Sequence, residues 1–299
     1  MKLLDGKTAI VTGAGRGIGR GHALHLAANG AKVLVNDLDL EGAAKVVAEI
    51  EEAGGIALAC GDDIGSRVGA EALIARCVSA FGAVDILVNN AGNLRDKTFL
   101  KMTDDDFDVI WRIHVKGAFW CAQEAAKQMV ARGKGGAIIN TVSGAHFGSF
   151  GQTAYSAAKG AVASMTYTWA FELARYGIRV NAIGPLGSTQ MSATYRGADG
   201  SRALEIDPTL NGPMVVFLAS DEASFVSGQI FGTGGERISH MVQPHYGKTL
   251  IQPGGWDIES IRKHFKTQLQ AEFGAFGILG KPYPFHDGVF PPAPEKDPA

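Results

Sequence analysis

A phenol and an ammonium stand four residues apart in Tyr155-Ser156-Ala157-Ala158-Lys159, with a hydroxyl upstream at Ser143. On a helix that spacing sets both side chains on one face. There the cation can lower the phenol's pKa and make it a usable acid/base near neutrality. A surface helix can carry the same pair by chance, so the elements that would position it decide what it means.

Those elements read as alternating strands and helices, the pattern of βαβ units and a parallel sheet. Strands are expected at Thr8 to Val11, Lys32 to Asn36, Ile56 to Ala59, Ile86 to Asn89, Ala137 to Thr141, Arg179 to Ile183 and Gln229 to Phe231. Leu40 to Ala53 and Val68 to Phe81 carry apolar residues at three- and four-residue spacing and read as helices. The expected fold is α/β, a Rossmann-type, doubly wound sheet of seven parallel strands over residues 1–235. A C-terminal extension follows over 236–299.

Bulk composition narrows the class. A chain of 299 residues, 46% hydrophobic and 19% charged, can bury a large core. Its 28 Lys and Arg are offset by 30 Asp and Glu without forming blocks, which gives no nucleic-acid footprint. Cys60, Cys77 and Cys121 lie in apolar or helical contexts with no metal-ligand spacing, as in a reduced intracellular protein. No apolar run approaches the roughly 20 residues of a membrane span, and the first residues leave no room for a signal peptide. A cytoplasmic protein with no membrane partner and no metal is expected.

The first strand runs into Thr12-Gly13-Ala14-Gly15-Arg16-Gly17-Ile18-Gly19, which opens the first helix. Glycines there let the backbone turn sharply and let a pyrophosphate approach the helix N-terminus, where free N–H groups and the macrodipole favour anionic oxygen. The second strand ends at Asn36-Asp37. A carboxylate at that point can accept hydrogen bonds from the adenosine ribose and repels a 2'-phosphate, which favours NAD over NADP. Arg16 leaves an alternative open: a guanidinium in the turn can pair with a 2'-phosphate, or it can stand in solvent at the helix start.

With these residues in order, the chain resembles the short-chain dehydrogenase/reductase family from residue 3 to about residue 235. Asp63-Ile64 matches the place where that family contacts adenine. Asn90, Ala91 and Gly92, after Asn89, match its cofactor-lining motif, and Ser143, Tyr155 and Lys159 match its catalytic residues. Within the family, Asn89 to Phe99 and Asp106-Phe107-Asp108 are similar to the (3R)-hydroxyacyl-CoA dehydrogenase part of multifunctional enzyme type 2 and its bacterial relatives. Three departures stand out. His114 occupies the place of the asparagine in the family's proton-relay tetrad, where it can organise a relay water or simply hydrogen-bond within its helix. The interval from Ser143 to Tyr155 is one residue short of the family's usual spacing. Pro185 is followed by Leu186, so that Ser188 or Thr189, in the loop from Pro185 to Met191, is left to contact the nicotinamide carboxamide.

The resemblance implies an NAD-dependent dehydrogenase that interconverts a secondary alcohol and a ketone, a 3-hydroxyacyl-CoA (a CoA thioester) or a hydroxysteroid, in a homodimer or homotetramer. Gly13, Arg16, Gly17, Ile18, Gly19 and Asp37 would hold the cofactor together with Asp63, Ile64, Asn90, Ala91, Gly92, Tyr155, Lys159, Pro185, Ser188 and Thr189. Ser143, Tyr155, Lys159 and His114 would serve catalysis. The alternatives are an NADPH-dependent 3-ketoacyl reductase and a cofactor-sensing protein without turnover. Arg95, Lys97, Lys101, Arg112 and Lys116 could form a basic rim for coenzyme A phosphates or a solvated face. Beyond the core, Asp257 is expected to cap a helix near 257–273 with Ile258, Ile261 and Phe265 on one face, and the proline-rich stretch from Lys281 reads as an extended tail.

Overall fold

Short runs of Val, Ile and Leu alternate with longer stretches of helical periodicity, and each folds as its pattern dictates. The computed structural model describes residues 2–189, 205–274 and 277–278. Its first half comprises β1 (Thr8–Thr12), α1 (Gly17–Ala28), β2 (Lys32–Asn36), α2 (Leu40–Glu52), β3 (Ile56–Cys60), α3 (Arg67–Phe81) and β4 (Ile86–Asn89). There follow α4 (Asp104–Trp111), a π-helical turn (Arg112–Gly117), α5 (Ala118–Arg132), β5 (Gly136–Thr141), α6 (Thr153–Leu173) and β6 (Ile178–Pro185). The chain continues through α7 (Gly212–Ala219), β7 (Ile230–Gly234), β8 (Arg237–Met241) and α8 (Ile258–Leu269). The Met191 end of the predicted nicotinamide loop and the stretch from Lys281 lie outside the described residues.

The strands form one sheet in the order β3-β2-β1-β4-β5-β6-β7-β8. β1 and β4 are buried at every position, as strands covered by helices on both faces must be. One apolar cluster packs Leu26, Val33, Val35, Ile86 and Val215 on one side of the sheet, and a second packs Leu34, Leu73, Leu87, Met129 and Ile138 on the other. Several helices start where side-chain oxygens accept first-turn N–H groups: Asp39 for α2, Ser66 for α3 and Thr103 for α4.

The expected sheet of seven parallel strands is corrected to eight. β8 pairs antiparallel with β7 across the two-residue turn Gly235-Glu236, so the sheet continues to Met241, past residue 235. The first seven strands pair parallel. Further on, Asp257 caps α8 by accepting from Ser260 N at 2.7 Å, and a short 3-10 turn carries the helical stretch to Glu272. Among the described residues no helix is long and apolar enough to cross a membrane.

The strand order reverses direction between β1 and β4, and at such a switch point the loops leaving the two carboxyl ends diverge and open a crevice. The carboxyl ends of β1, β2, β4, β5 and β6 thereby bring the glycine turn, Asp37, Asn90, Ser143 and Pro185 to one edge of the sheet.

Candidate active site

The glycine turn is held shut from across the crevice. Thr12 Oγ1 accepts from both Asn90 N and Ala91 N at 3.0 Å, and Asn90 Nδ2 donates to Thr12 O at 2.9 Å and Gly13 O at 3.0 Å. A Cβ on Gly19 would sit 2.2 Å from Gly13 O and 2.5 Å from Asn90 Nδ2, so only glycine lets α1 start this close to the strand end. A Cβ on Gly13 would lie 2.7 Å from Ala91 Cα. Thr12 was not singled out in the sequence, where nothing marks its hydroxyl as the link between β1 and the Asn90 loop.

At the mouth of the turn, Asp37 Oδ2 accepts from Gly15 N at 2.9 Å and Oδ1 from Asp39 N at 3.0 Å. Two backbone donors fix this carboxylate beside the glycine turn. Arg16 lies close to Asp39, 3.9 Å from its carboxylate, with its side chain largely in solvent. α1 opens without a side-chain cap, which leaves first-turn N–H groups of a twelve-residue helix to face an anionic group. The close-packed glycine cradle, the uncapped helix and the anchored Asp37 together suit a dinucleotide laid across the switch point.

Asp63 and Ile64 part company. Asp63 is exposed and accepts from Gly65 N at 2.8 Å, closing its own turn, while Ile64 is buried against Gly117. Ser188 and Thr189 also separate: Ser188 pairs with Ile206 through Ser188 N to Ile206 O at 2.7 Å and Ile206 N to Ser188 Oγ at 2.9 Å. Thr189 leans over the glycine turn, its Cγ2 lying 3.3 Å from the Cβ position of Gly17. Of the two candidates, Thr189 is the one that reaches the glycine turn.

Tyr155 and Lys159 lie on the first two turns of α6. Tyr155 is half-buried. Burial pushes its phenol above the ordinary value, a hydrogen bond with Ser143 pulls it down and the charge of Asp96 pushes it up. Ser143, at the end of β5, also accepts from Ala145 N at 3.1 Å, so one hydroxyl both caps a 3-10 turn and meets the phenol. Lys159 is buried; its Nζ donates to Thr141 O at 2.6 Å and lies 5.6 Å from the Tyr155 ring centroid. Burial dominates at Tyr155, and the ammonium is held toward the strand end, where burial pulls its own pKa down to about 7.

His114 is buried in the π-helical turn between α4 and α5, edge-on to the Tyr155 ring at 5.4 Å. Burial and then the Lys159 charge pull its pKa down to about 3, which makes it a neutral imidazole at physiological pH. Its Nε2 lies 2.9 Å from Asn93 O and 3.0 Å from Asn93 N, so either tautomer finds a partner. Gly92 packs against the ring's edge, since a Cβ there would lie 2.3 Å from His114 Cε1.

A small cavity of about 10 Å³ lies behind Lys159, lined by Thr12, Asn89, His114, Thr141 and Lys159 with Ile64 on its apolar side. That is room for one water. Asn89 Oδ1, His114 Nδ1 and Thr141 Oγ1 are buried with no hydrogen-bond partner among the described residues, and all three residues line this cavity. Asn89 Nδ2 donates to Asn140 Oδ1 at 2.9 Å, and Asn140 Nδ2 to Thr166 Oγ1 at 2.9 Å, which fixes β4, β5 and α6 relative to one another beneath the site.

Of the five basic residues that could form a rim, Lys97 is committed to an ion pair with Asp106 at 2.7 Å. That pair and the Thr103 hydrogen bonds hold the Asp106 carboxyl far below its ordinary range. Lys97 N also donates to Gly151 O at 2.9 Å, and Gln152 Nε2 reaches Asp96, so the 93–101 loop is zipped to the loop before Tyr155.

The chain is similar to known proteins. Residues 7–199 match the family model for short chain dehydrogenase. Hydroxyacyl-CoA dehydrogenase ChsB1 of Mycobacterium tuberculosis is 38% identical over 272 residues, 85% of this chain and 86% of its own. Peroxisomal multifunctional enzyme type 2 of Mus musculus is 36% identical over 239 residues; the alignment takes in 77% of this chain but only 32% of that larger protein. The crystal structure of a short chain dehydrogenase from Mycobacterium avium superposes with a TM-score of 0.79 at 37% identity, covering 96% of this chain and 99% of that one. The glycine turn at the switch point and the serine, tyrosine and lysine gathered beside it thus belong to a member of the short-chain dehydrogenase family, an oxidoreductase.

Proposed function

We propose that this protein is an NAD-dependent dehydrogenase that oxidises the hydroxyl of a 3-hydroxyacyl-CoA to the ketone. The observation that carries the reading is the convergence of Ser143, Tyr155 and Lys159 at the carboxyl end of β5, beside a glycine turn whose mouth holds the Asp37 carboxylate. The substrate class rests on relatives named as hydroxyacyl-CoA dehydrogenase and multifunctional enzyme type 2.

Tyr155 takes the proton of the substrate hydroxyl at its phenolic oxygen, which first requires the phenolate. Burial and the charge of Asp96 oppose that form; the hydrogen bond from Ser143 stabilises it. Ser143 also orients the substrate oxygen and offsets the charge that grows on it, a role of the oxyanion-hole type. Bound in the crevice, the nicotinamide ring supplies the hydride acceptor for the hydrogen on the same carbon. Lys159 supports the ionised phenol electrostatically and offers its donors to ribose hydroxyls. With its pKa near 7 it can also pass a proton on to the cavity behind it, where His114, Asn89 and Thr141 present unpaired polar atoms.

NAD is favoured because a 2'-phosphate would meet the anchored Asp37, and because Arg16, the cation that could have compensated, lies beside Asp39. Steady-state rates with NAD and NADP against 3-hydroxyacyl-CoAs, hydroxysteroids and simple secondary alcohols test both halves of the reading. Preference for NADP, or oxidation of hydroxysteroids alone, would refute the cofactor or the substrate assignment respectively.

A further inference from the structure

The loop that follows Ser143 carries a contact that neither hydride transfer nor cofactor binding uses. Ile278 N donates to Gly148 O at 2.7 Å, joining the C-terminal segment to the 143–148 loop across a long sequence separation. The Ile278 side chain rests on Gly144, its Cδ1 only 2.8 Å from where a Cβ of Gly144 would stand. Gly277 Cα likewise lies 3.3 Å from the Cβ position of Gly148. Gly148, at φ +104°, and Gly277, at φ +73°, adopt backbone conformations that favour glycine, so both sides of the contact are built to come close.

Gly144 is the residue after Ser143, and Ile278 thus sits one residue from the hydroxyl that meets Tyr155. Ile278 remains 47% exposed and Phe147, on the same loop, 50% exposed, so packing leaves apolar surface uncovered on both. Ser143 itself is tied to the loop through Ala145 N, and any shift of the loop moves the serine. We propose that Ile278 is a specificity-determining and positioning residue: it holds the 143–148 loop and forms the apolar wall against which the substituent of the reacting carbon lies. This rests on the dehydrogenase reading above.

The test compares full-length wild type, Ile278→Asp and Ile278→Val. With a medium-chain 3-hydroxyacyl-CoA, the aspartate variant raises KM about tenfold or more, the effect of spoiling an apolar contact to the substrate. KM for NAD is unchanged, kcat falls much less than KM rises, and valine restores near-normal values. A general folding defect would instead lower kcat for every substrate. Amide hydrogen exchange without substrate gives an independent readout: residues 144–148 exchange faster in the aspartate variant than in wild type. The kinetic comparison runs on whichever alcohol the wild type oxidises, so a wrong substrate class overturns the function reading and not this one. Unchanged exchange in the loop, or an unchanged KM for the alcohol, overturns the role of Ile278; if the wild type oxidises nothing, exchange alone decides it.

Discussion

Lys159→Met should stabilise the ligand-free protein near neutrality while abolishing turnover, and the gain should fade with rising pH. Burial lowers the Lys159 pKa from 10.5 to about 7, equivalent to about 5 kcal/mol of penalty on the charged form. The sign follows from linkage. Between pH 7 and 10.5 the unfolded chain keeps a proton that the folded protein has released, so the penalty is full below pH 7, shrinks as pH rises and is gone above 10.5. Methionine keeps most of the stem and removes the charge, but it also removes the donor to Thr141 O, at a cost of about 1–3 kcal/mol. The net expectation is a variant about 2–4 kcal/mol more stable than wild type at pH 7, the difference shrinking by about 3 kcal/mol towards pH 9.5. Urea unfolding of both proteins at the two pH values measures this directly. A difference that stays constant with pH, or a variant less stable at pH 7, would show that Lys159 is not held charged against burial and would refute the reasoning.

Four further outcomes follow from the same geometry. Tyr155→Phe should abolish turnover while leaving NAD binding, followed by calorimetry, within a few-fold of wild type; substantial residual activity would exclude Tyr155 as the acid/base. Asp37→Ala removes a carboxylate held by Gly15 N and Asp39 N, and should raise KM for NAD by roughly tenfold to a hundredfold, as for loss of a charged hydrogen bond, while lowering KM for NADP. Gly19→Ala places a methyl against Gly13 O and should eliminate cofactor binding in titration, with a lower melting temperature. Thr12→Val keeps the shape but strands Asn90 N and Ala91 N, and should lower stability by about 1–3 kcal/mol in urea unfolding and weaken NAD binding with it.

The parts of this fold that were legible in the sequence are those whose signals are local. β-branched and apolar runs placed all seven strands, with ends within three residues, most sharply for the central strands, which are covered on both faces. The cap at Asp257 and the apolar spacing of Ile258, Ile261 and Phe265 placed α8 for the same reason. β8 has no such local signal: it follows directly on Gly234-Gly235, where glycines can equally mark the end of a core. The same glycines followed by Glu236 and a short strand-forming run are also a two-residue hairpin, and only the pairing partner β7 distinguishes the two.

The site divides along the same line. Tyr155 and Lys159 share a helix, so their spacing alone predicted a common face. The hydroxyl of Thr12 depends on amides 78 and 79 residues away, and the cavity behind Lys159 is built from β1, β4, β5, the π-helical turn and α6. No local pattern encodes such a meeting. Lys159 shows the difference: its spacing to Tyr155 gives the shared face, but not the burial and the Thr141 carbonyl that hold its ammonium and pull its pKa down to about 7. The spacing put Tyr155 and Lys159 on one face of α6; burial, with Ser143 and Asp96 at the phenol, sets the protonation states in which they can act.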